Sequence, residues 1–520
     1  MPRKPWDFPL YPLFLAAHYP LFLMAGDIGM FDAGAALRPA LIGALGALLI
    51  MAVVGVVMRD IHRAALWTAM AVVIFFHFNL IEMTFRDLTY PIMGFVPTIY
   101  ILASMLLFAG LAAFFLKATL NLTRIGNTVA AVMLVFPMMT LILREPGLVN
   151  DVAHAGVMNR SESLLVDAHR TSEAPSIIHL VLDGYSRQDV LADLYHFDNT
   201  PFLDQLRQLG FAVASGAVSP YNQTMLVMSS VLTADYLGPA DQPMSAQALR
   251  RSLLQELRQN RVMETLSGLG YQTAAVDVRY DPVRMTQVDR LLLPRRISNF
   301  EMAVYEQSLL HRAAQEFGYV EPSLPKDMFS VPYERELASP YFLYLHALAP
   351  HPPFDVNQHG DPVMPEGGWR GLADGSHFTD GDPERRRIYR DGYIDKLMFT
   401  NEMVLTFLER IVGEGTGPKV IIIHGDHGGG LYFDQDSADR SCITERFSPL
   451  LAVYSTDGRL QADLPPDMNL VNIYRLVFNT YFGTKLPFLP SQSSFADWIE
   501  PERQQVLPAG RLSQACEVPE

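Results

Sequence analysis

Apolar positions are arranged in two regimes along the chain. Through the first 145 residues they form long runs broken by short polar pieces, and from about residue 150 onward they come in short blocks separated by polar or periodic stretches. A hydrocarbon core about 30 Å thick needs about 20 apolar residues per helix. Five runs approach that length: PLYPLFLAAHYPLFLMAG (9-26), LRPALIGALGALLIMAVVGVVM (37-58), AALWTAMAVVIFFHFNLIEM (64-83), MGFVPTIYILASMLLFAGLAAFFL (93-116) and IGNTVAAVMLVFPMMTLIL (125-143). The first carries His18, Tyr19 and prolines, which makes it the weakest span. No small-residue cleavage pattern follows it, so it does not read as a removed signal peptide.

The second regime alternates strand-like and helix-like segments. SIIHLVLDG (176-184), YQTAAVDV (271-278), YFLYLHAL (341-348), KVIIIHGDH (419-427) and FSPLLAVYS (447-455) are short blocks rich in Ile, Leu, Val and aromatic residues, as strands buried on both faces read. Helical segments are expected at 200-210, 253-270, 385-412 and 469-483. This alternation predicts an α/β domain with a mostly parallel sheet covered by helices on both faces. The chain thus divides into a transmembrane region (1-145), a linker (146-173), a globular domain (174-505) and a tail (506-520).

Charge refines the picture. Arg3, Lys4, Arg59, Arg63, Lys117 and Arg124 lie on one side of the five spans. Arg38, Arg86 and Arg144 lie on the other, beside Asp27, Asp32, Asp87 and Glu145. The positive-inside rule places the N-terminus in the cytoplasm and everything after residue 144 outside. A formal net charge of −15 over 520 residues argues against nucleic acid as a partner. The dense basic run RRRIYR (385-390) reads either as a solvated helix face or as an anion-docking patch. Both cysteines, Cys442 and Cys516, fall in the outer part, where a disulfide can persist; the sequence leaves paired and free forms open.

Ligands of open α/β sheets bind beyond the carboxyl ends of strands, which singles out Asp183 and the pair Asp426 and His427. HGDHGGG (424-430) by itself allows a phosphate loop, a metal site or a loose turn. A P-loop is excluded, because no Gly-Lys-Ser/Thr ending or helix follows; its glycines are expected to let the backbone turn and leave room for a substrate. His424 reads as a supporting residue. In SPYNQTMLVMSSVLTADYL (219-237), Thr224 stands at a helix start, either as an N-cap or as a hydroxyl facing free N–H groups that favour an anion. YLHALAPHPPFDVNQHG (344-360) crowds His346, His351, Asp355 and His359 into one strand end and loop, with Asp355 and His359 spaced for part of a second metal site. In the third span, His77, Asn79 and Glu82 are costly polar residues that could hold a lipid head group or simply face water or another helix.

Taken in order, Asp at a strand end, Thr at a helix start, a His- and Pro-rich loop and Asp-His-Gly at a late strand end resemble the alkaline phosphatase and sulfatase superfamily. The likeness is greatest to its membrane-anchored branch, which includes lipoteichoic acid synthases and phosphoethanolamine transferases. The resemblance covers about 174-500 and implies an alkaline phosphatase-like fold. By that resemblance Asp183, Thr224, Asp426 and His427 are ligands of at least one divalent cation (Mn, Zn or Mg), Thr224 is the nucleophile, and His351 acts near the leaving group; His346, Asp355 and His359 remain for a second metal or substrate. Glu usually stands at the Asp183 position in the lipoteichoic acid branch, and sulfatases carry paired acids there. Asp183-Gly184 is closer to the phosphodiesterase relatives. CITER (442-446) resembles the Cys-x-Pro-x-Arg signature that becomes formylglycine, but Thr stands where Pro belongs and the segment follows HGDHGGG, so Cys442 is not read as a nucleophile.

The expectation is a multi-pass protein of a bacterial inner membrane, with its catalytic domain in the periplasm. It would move a phosphorus-containing group from a membrane lipid to an envelope glycan through a threonine-linked intermediate. Alternatives are an extracytoplasmic hydrolase of phosphodiesters or sulfate esters, and a non-catalytic glycan-binding or scaffolding membrane protein.

Overall fold

The computed structural model describes residues 5–27, 29–93, 98–115, 120–154, 168–170, 174–237, 244–278, 280–294, 297–316, 327–363, 375–379, 381–413 and 417–516. It divides into two compact units, the first of Met1–Asn150 with Arg296–Tyr319 and the second of Asp151–Arg295 with Val320–Glu520. The sequence stretch expected to form one globular domain therefore contributes to both.

The first unit contains helices Tyr11–Ala25, Leu37–Met58, Ile61–Met93, Thr98–Phe115 and Leu120–His154. Among the described residues, three are long and apolar enough to cross a membrane: Gly34–Met58, Ile61–Phe78 and Leu120–Leu143. Tyr11–Ala25 has 15 residues, about 22 Å of helix, short of a bilayer core. Of the five expected spans, three meet this criterion among the described residues. Val56, Val57, Phe136 and Leu143 each expose at least 70% of their surface. Such continuous apolar exposure is unfavourable in water and natural in lipid, and the chain is a membrane protein. Packing inside the unit uses small residues. Ala40, Gly43 and Ala47 lie along one stripe, where a Cβ on Gly43 would come within 3.0 Å of the Ala16 carbonyl, so the backbones approach as small-residue membrane interfaces do.

Helix Asn299–Glu306 belongs to the same unit. It begins in a capping box of Ser298 and Glu301, Arg38 pairs with Glu301, and Phe300 meets Phe31 edge-on. His77 lies 3.2 Å from the Val73 carbonyl of its own helix and edge-on to Tyr19; the side chains of Asn79 and Glu82 lie outside the described residues.

The second unit is built on a seven-stranded sheet: β1 (Ser176–Leu182), β2 (Ala212–Val213), β3 (Gln272–Val276), β4 (Arg290–Leu292), β5 (Tyr341–Ala347), β6 (Lys419–His424) and β7 (Leu451–Ser455). The order is β2-β7-β6-β1-β5-β3-β4. All pairs from β6 to β4 are parallel, and β7 runs antiparallel to both β6 and β2. Every residue of β1, β5 and β6 is buried. Because successive side chains point to opposite faces, both faces of the central sheet are covered, and this is why these strands read as mainly apolar runs.

Departures from the expected elements have local causes. The helix expected over 253-270 is two, Ala246–Arg258 and Arg261–Gly268, because Asn260 accepts a hydrogen bond from the Met263 N–H as N-cap of the second. FSPLLAVYS begins in the end of helix Ile443–Phe447 and becomes a strand only at Leu451. β2 and β4, of two and three residues, are too short to show a period. The tail is held through Cys516: Cys442 and Cys516 form a disulfide, Thr444 donates to the Gln514 carbonyl at 2.7 Å, and Arg511 pairs with Asp439 at 2.9 Å. With a sequence separation of 74 between the cysteines, loop entropy predicts a contribution of about 4 kcal/mol. Reductant should therefore lower the unfolding midpoint of the second unit, and an unchanged midpoint would show that the crosslink constrains little.

Candidate metal-centred active site

β5 and β6 flank β1 on either side and run parallel to it, so three carboxyl ends lie side by side. Asp183 follows β1, His346 stands near the end of β5, and Asp426 and His427 follow β6. All four are buried. Thr224 reaches them from a separate element, the start of helix Thr224–Thr233.

Each of the three central residues has one side-chain atom held by the protein and another turned to a shared centre. Asp183 Oδ2 accepts from His346 Nε2 at 3.1 Å, and the Tyr344 hydroxyl donates to His346 Nδ1 at 2.9 Å, which fixes the tautomer. Asp426 Oδ1 accepts the Gly184 N–H at 3.0 Å. His427 Nδ1–H donates to the Gly428 carbonyl at 2.8 Å, leaving Nε2 with its lone pair. That nitrogen lies 3.3 Å from Asp426 Oδ2, 3.7 Å from Asp183 Oδ1 and 3.3 Å from Thr224 Oγ1. Asp183 Oδ1 and Asp426 Oδ2 are buried with no hydrogen-bond partner.

Two buried carboxylate oxygens without donors are costly, and a dication placed between them would relieve that cost. Ligand atoms of Asp183, Asp426 and His427 all lie within 4.8 Å of one another, and this is the one such cluster of three or more among the described residues. An oxygen-rich set with one neutral imidazole, oriented by a carbonyl on its other nitrogen, fits a divalent cation. Burial works to raise the Asp183 carboxyl, yet the neighbouring His351 and the hydrogen bond from His346 bring it down to about 2, so it stays ionised.

Thr224 is not an N-cap. Gln223 occupies that position with extended backbone, and Thr224 is the first helical residue. Its hydroxyl is therefore committed to the site, next to helix-start N–H groups that have no partner within the helix. Two anchors hold this turn. Asn222 exchanges hydrogen bonds with the backbone of Ala496 at 2.8 and 2.9 Å, and Ser219 Oγ lies 2.7 Å from the Asp426 carbonyl.

The His-rich loop divides. His351 belongs at the site: its N–H donates to the Asp183 carbonyl at 3.0 Å, its Nδ1–H to the Pro352 carbonyl at 2.8 Å, and its ring centre is 6.3 Å from that of His427. His346 instead orients Asp183. Asp355 faces Lys396 at 3.8 Å and His359 is exposed; neither joins the cluster, so the structure does not assemble a second metal site from His346, Asp355 and His359. Buried Lys396, which the sequence did not single out, donates to the His351 and Pro353 carbonyls at 2.8 and 3.0 Å and so fixes the loop. His424 supports from below the site: its Nε2 lies 2.7 Å from His179 Nε2, and His179 Nδ1 lies 2.8 Å from the Tyr474 hydroxyl.

The glycines of HGDHGGG serve close packing rather than an open space. Gly425, Gly428, Gly429 and Gly430 are not among the positive-φ glycines. A Cβ on Gly428 would sit 2.0 Å from the Glu445 carbonyl, and one on Gly429 would sit 2.0 Å from the Tyr195 hydroxyl. Glu445 accepts from Tyr195 and from the Leu431 and Tyr432 N–H groups at 2.6 to 2.8 Å, with its carboxyl pushed up by burial. Gly428→Ala should displace the His427 loop and lower both soluble yield and metal affinity, measured on purified protein; wild-type affinity would show that the loop can give way.

Arg446 is a site residue beyond the sequence candidates, although it stands at the Arg of the Cys-x-Pro-x-Arg-like segment CITER. Its guanidinium is buried, lies 4.3 Å over the Phe433 ring, donates to the Asn222 carbonyl at 2.8 Å and places Nη2 3.1 Å from His427 Nε2. It brings a fixed positive charge to the place where Thr224 and His427 meet. Arg446→Lys loses the planar fork and should slow turnover by about 10²-fold or more, the scale of removing one preorganised charge donor. A rate within a factor of three of wild type would remove Arg446 from the site chemistry.

The fold and the cluster define an α/β domain with a buried Asp/His cluster suited to a divalent cation beside a helix-start hydroxyl. The sequence model of the Sulfatase family matches residues 175–447, more than half of the chain. The chain belongs to that family. No curated protein matches the sequence. Three solved structures are remotely similar. The C-terminal periplasmic domain of EcEptC from Escherichia coli is 13% identical, over 66% of this chain and 94% of that one, with a TM-score of 0.40. The integral membrane lipooligosaccharide phosphoethanolamine transferase A from Neisseria meningitidis is 11% identical, over 91% and 95%, with a TM-score of 0.38. The phosphonate monoester hydrolase of Agrobacterium radiobacter is 14% identical, over 63% and 82%, with a TM-score of 0.40.

Proposed function

We propose that the protein transfers a phosphorus-containing group, such as a phospholipid head group, to an envelope glycan on the periplasmic side of a bacterial inner membrane. The observation that carries this reading is Thr224 Oγ1 at 3.3 Å from His427 Nε2, beside two buried carboxylate oxygens that lack donors. Asp183, Asp426, His427 and Thr224 would hold a divalent cation, Zn, Mn or Mg. When bound, it would offset the carboxylate charge and favour ionisation of the hydroxyl.

Thr224 Oγ1, its proton released to solvent on ionisation, would attack phosphorus as the O–P bond forms and the bond to the lipid leaving oxygen breaks. His351, with Nδ1–H held on the Pro352 carbonyl, has Nε2 to hold or deliver a proton to that leaving oxygen. A glycan hydroxyl would then attack phosphorus, its proton passing to His351 Nε2 as the Thr224 O–P bond breaks and frees the side chain. Arg446 and the helix-start N–H groups would hold the negatively charged oxygens. Cys442 is engaged in a disulfide, so it is not a source of formylglycine, which favours phosphorus over sulfate chemistry. A membrane anchor keeps the site in the neighbourhood of lipid donors.

The test uses full-length protein in detergent micelles with zinc and a lipid carrying a labelled head group, with and without acceptor glycan. Transfer of label to the glycan is the expected result. Label released equally as free head group without glycan would make water the acceptor and the protein a hydrolase, and no release under either condition would sink the enzymatic reading.

A further inference from the structure

Beyond the metal centre, the second unit contains a cavity of about 620 Å³ for which the reaction so far has no use. One wall is Leu431–Phe433, the residues that directly follow Gly430. The opposite wall is the C-terminal segment around Cys516, tied in place by the disulfide to Cys442. Phe433 joins the cavity to the active site, since its ring lines the cavity and also carries the guanidinium of Arg446 at 4.3 Å.

The charges lining the cavity are unequal. Arg386, Arg440 and Arg511 face it with Asp434 and Asp439. Both aspartates are taken, Asp434 by Arg440 at 2.6 Å and Asp439 by Arg511 at 2.9 Å. Arg386 lies over the ring of Tyr432 at 5.0 Å, and its Nε is buried with no hydrogen-bond partner. It differs in this from its neighbours in RRRIYR: Arg387 pairs with Glu384 and Asp391, and Arg390 with Asp391, along the helix surface. The basic run is thus mostly a solvated helix face, with one arginine turned to a cavity wall. One cation in excess among the described residues, the Tyr432 ring, and the hydroxyl and amide groups of Ser441 and Gln514 suit a ring that is polar at its edges and carries one negative group.

We infer that this cavity is a subsite for a sugar bearing a single anionic group, phosphate or carboxylate, with that group on Arg386 and the ring beside Tyr432. The subsite binds the acidic sugar of the acceptor, and only that role, not the binding itself, rests on the transfer reading above. The disulfide supplies the wall that closes the site.

Full-length protein in detergent micelles is titrated with glucuronate, glucose 6-phosphate and glucose. Both anionic sugars should bind, and glucose at least about tenfold more weakly, the loss that one charge-assisted contact of about 1.4 kcal/mol represents. Arg386→Met should weaken the anionic sugars to the level of glucose. Ala515→Trp, at an exposed position on the tail wall, should block all three, and it keeps the test decisive if Arg386→Met fails to fold. Glucose binding as tightly as glucuronate, or anionic sugars binding unchanged in Ala515→Trp, overturns the inference. Sugar binding that survives in Thr224→Ala while no transfer is seen in wild type would leave the subsite standing and remove the transfer reading. Transfer with an acceptor KM unchanged by Ala515→Trp would remove the subsite alone.

Discussion

Thr224→Ala should lower turnover by about 10⁴-fold or more, the scale seen when a nucleophile is removed from a unit that acts together, while leaving the fold intact. Thr224 makes no capping bond, since Gln223 is the cap, and its hydroxyl is seen against His427 Nε2 at 3.3 Å, a long and replaceable contact. Stability should therefore fall by less than about 1 kcal/mol. Metal affinity should fall only modestly, because Asp183, Asp426 and His427 remain. Thr224→Ser should recover part of the rate. In wild type, mass spectrometry of protein quenched with the lipid donor should find the added group on the peptide containing Thr224. Full activity in Thr224→Ala would place the nucleophile elsewhere.

Asp426→Asn should abolish metal binding and, against ordinary expectation for a buried substitution, stabilise the metal-free protein. Asp426 Oδ1 accepts the Gly184 N–H, a role that the amide oxygen of Asn retains. Oδ2, buried without a donor near Asp183 Oδ1, becomes an NH₂ that can donate to the facing carboxylate. Replacing a like-charged contact by a hydrogen bond to an ion should raise stability in chelator by about 1 to 3 kcal/mol. Wild type behaves in the opposite sense: zinc at 100 times its Kd should stabilise it by about 2.7 kcal/mol, and the Asn variant should show no such shift. The readout is the unfolding midpoint in chelator and in zinc. Equal zinc shifts in both proteins would mean that the cation binds elsewhere.

What could be read from the sequence followed from strand position. Asp183 and Asp426 are legible because buried parallel strands are mainly apolar runs, and these acids stand one and two residues beyond the ends of β1 and β6, at the sheet's carboxyl edge. The membrane helices were legible by the same token, since lipid imposes one composition on every residue of a span. Of the five expected spans, three are long and apolar enough among the described residues, and Tyr11–Ala25, apolar but 15 residues long, shows that hydropathy alone does not fix the length of a helix. The His-rich loop suggested a second metal site through spacing alone. In space Asp355 faces Lys396, and His346 turns to Asp183.

By itself the sequence determined the two regimes, the parallel sheet, and the identity of the residues at its edge, because these depend on local pattern and on burial shared by neighbours along the chain. Only the tertiary structure decided how those residues meet. His427 and Arg446 are 19 positions apart, Thr224 and His427 are 203 apart, and no periodicity reports an approach of that kind. The glycines after His427 show the same division. Their small size was visible, but that Glu445 and Tyr195 fill the space beside them depends on chain folding back, where van der Waals exclusion acts between residues that the sequence keeps apart.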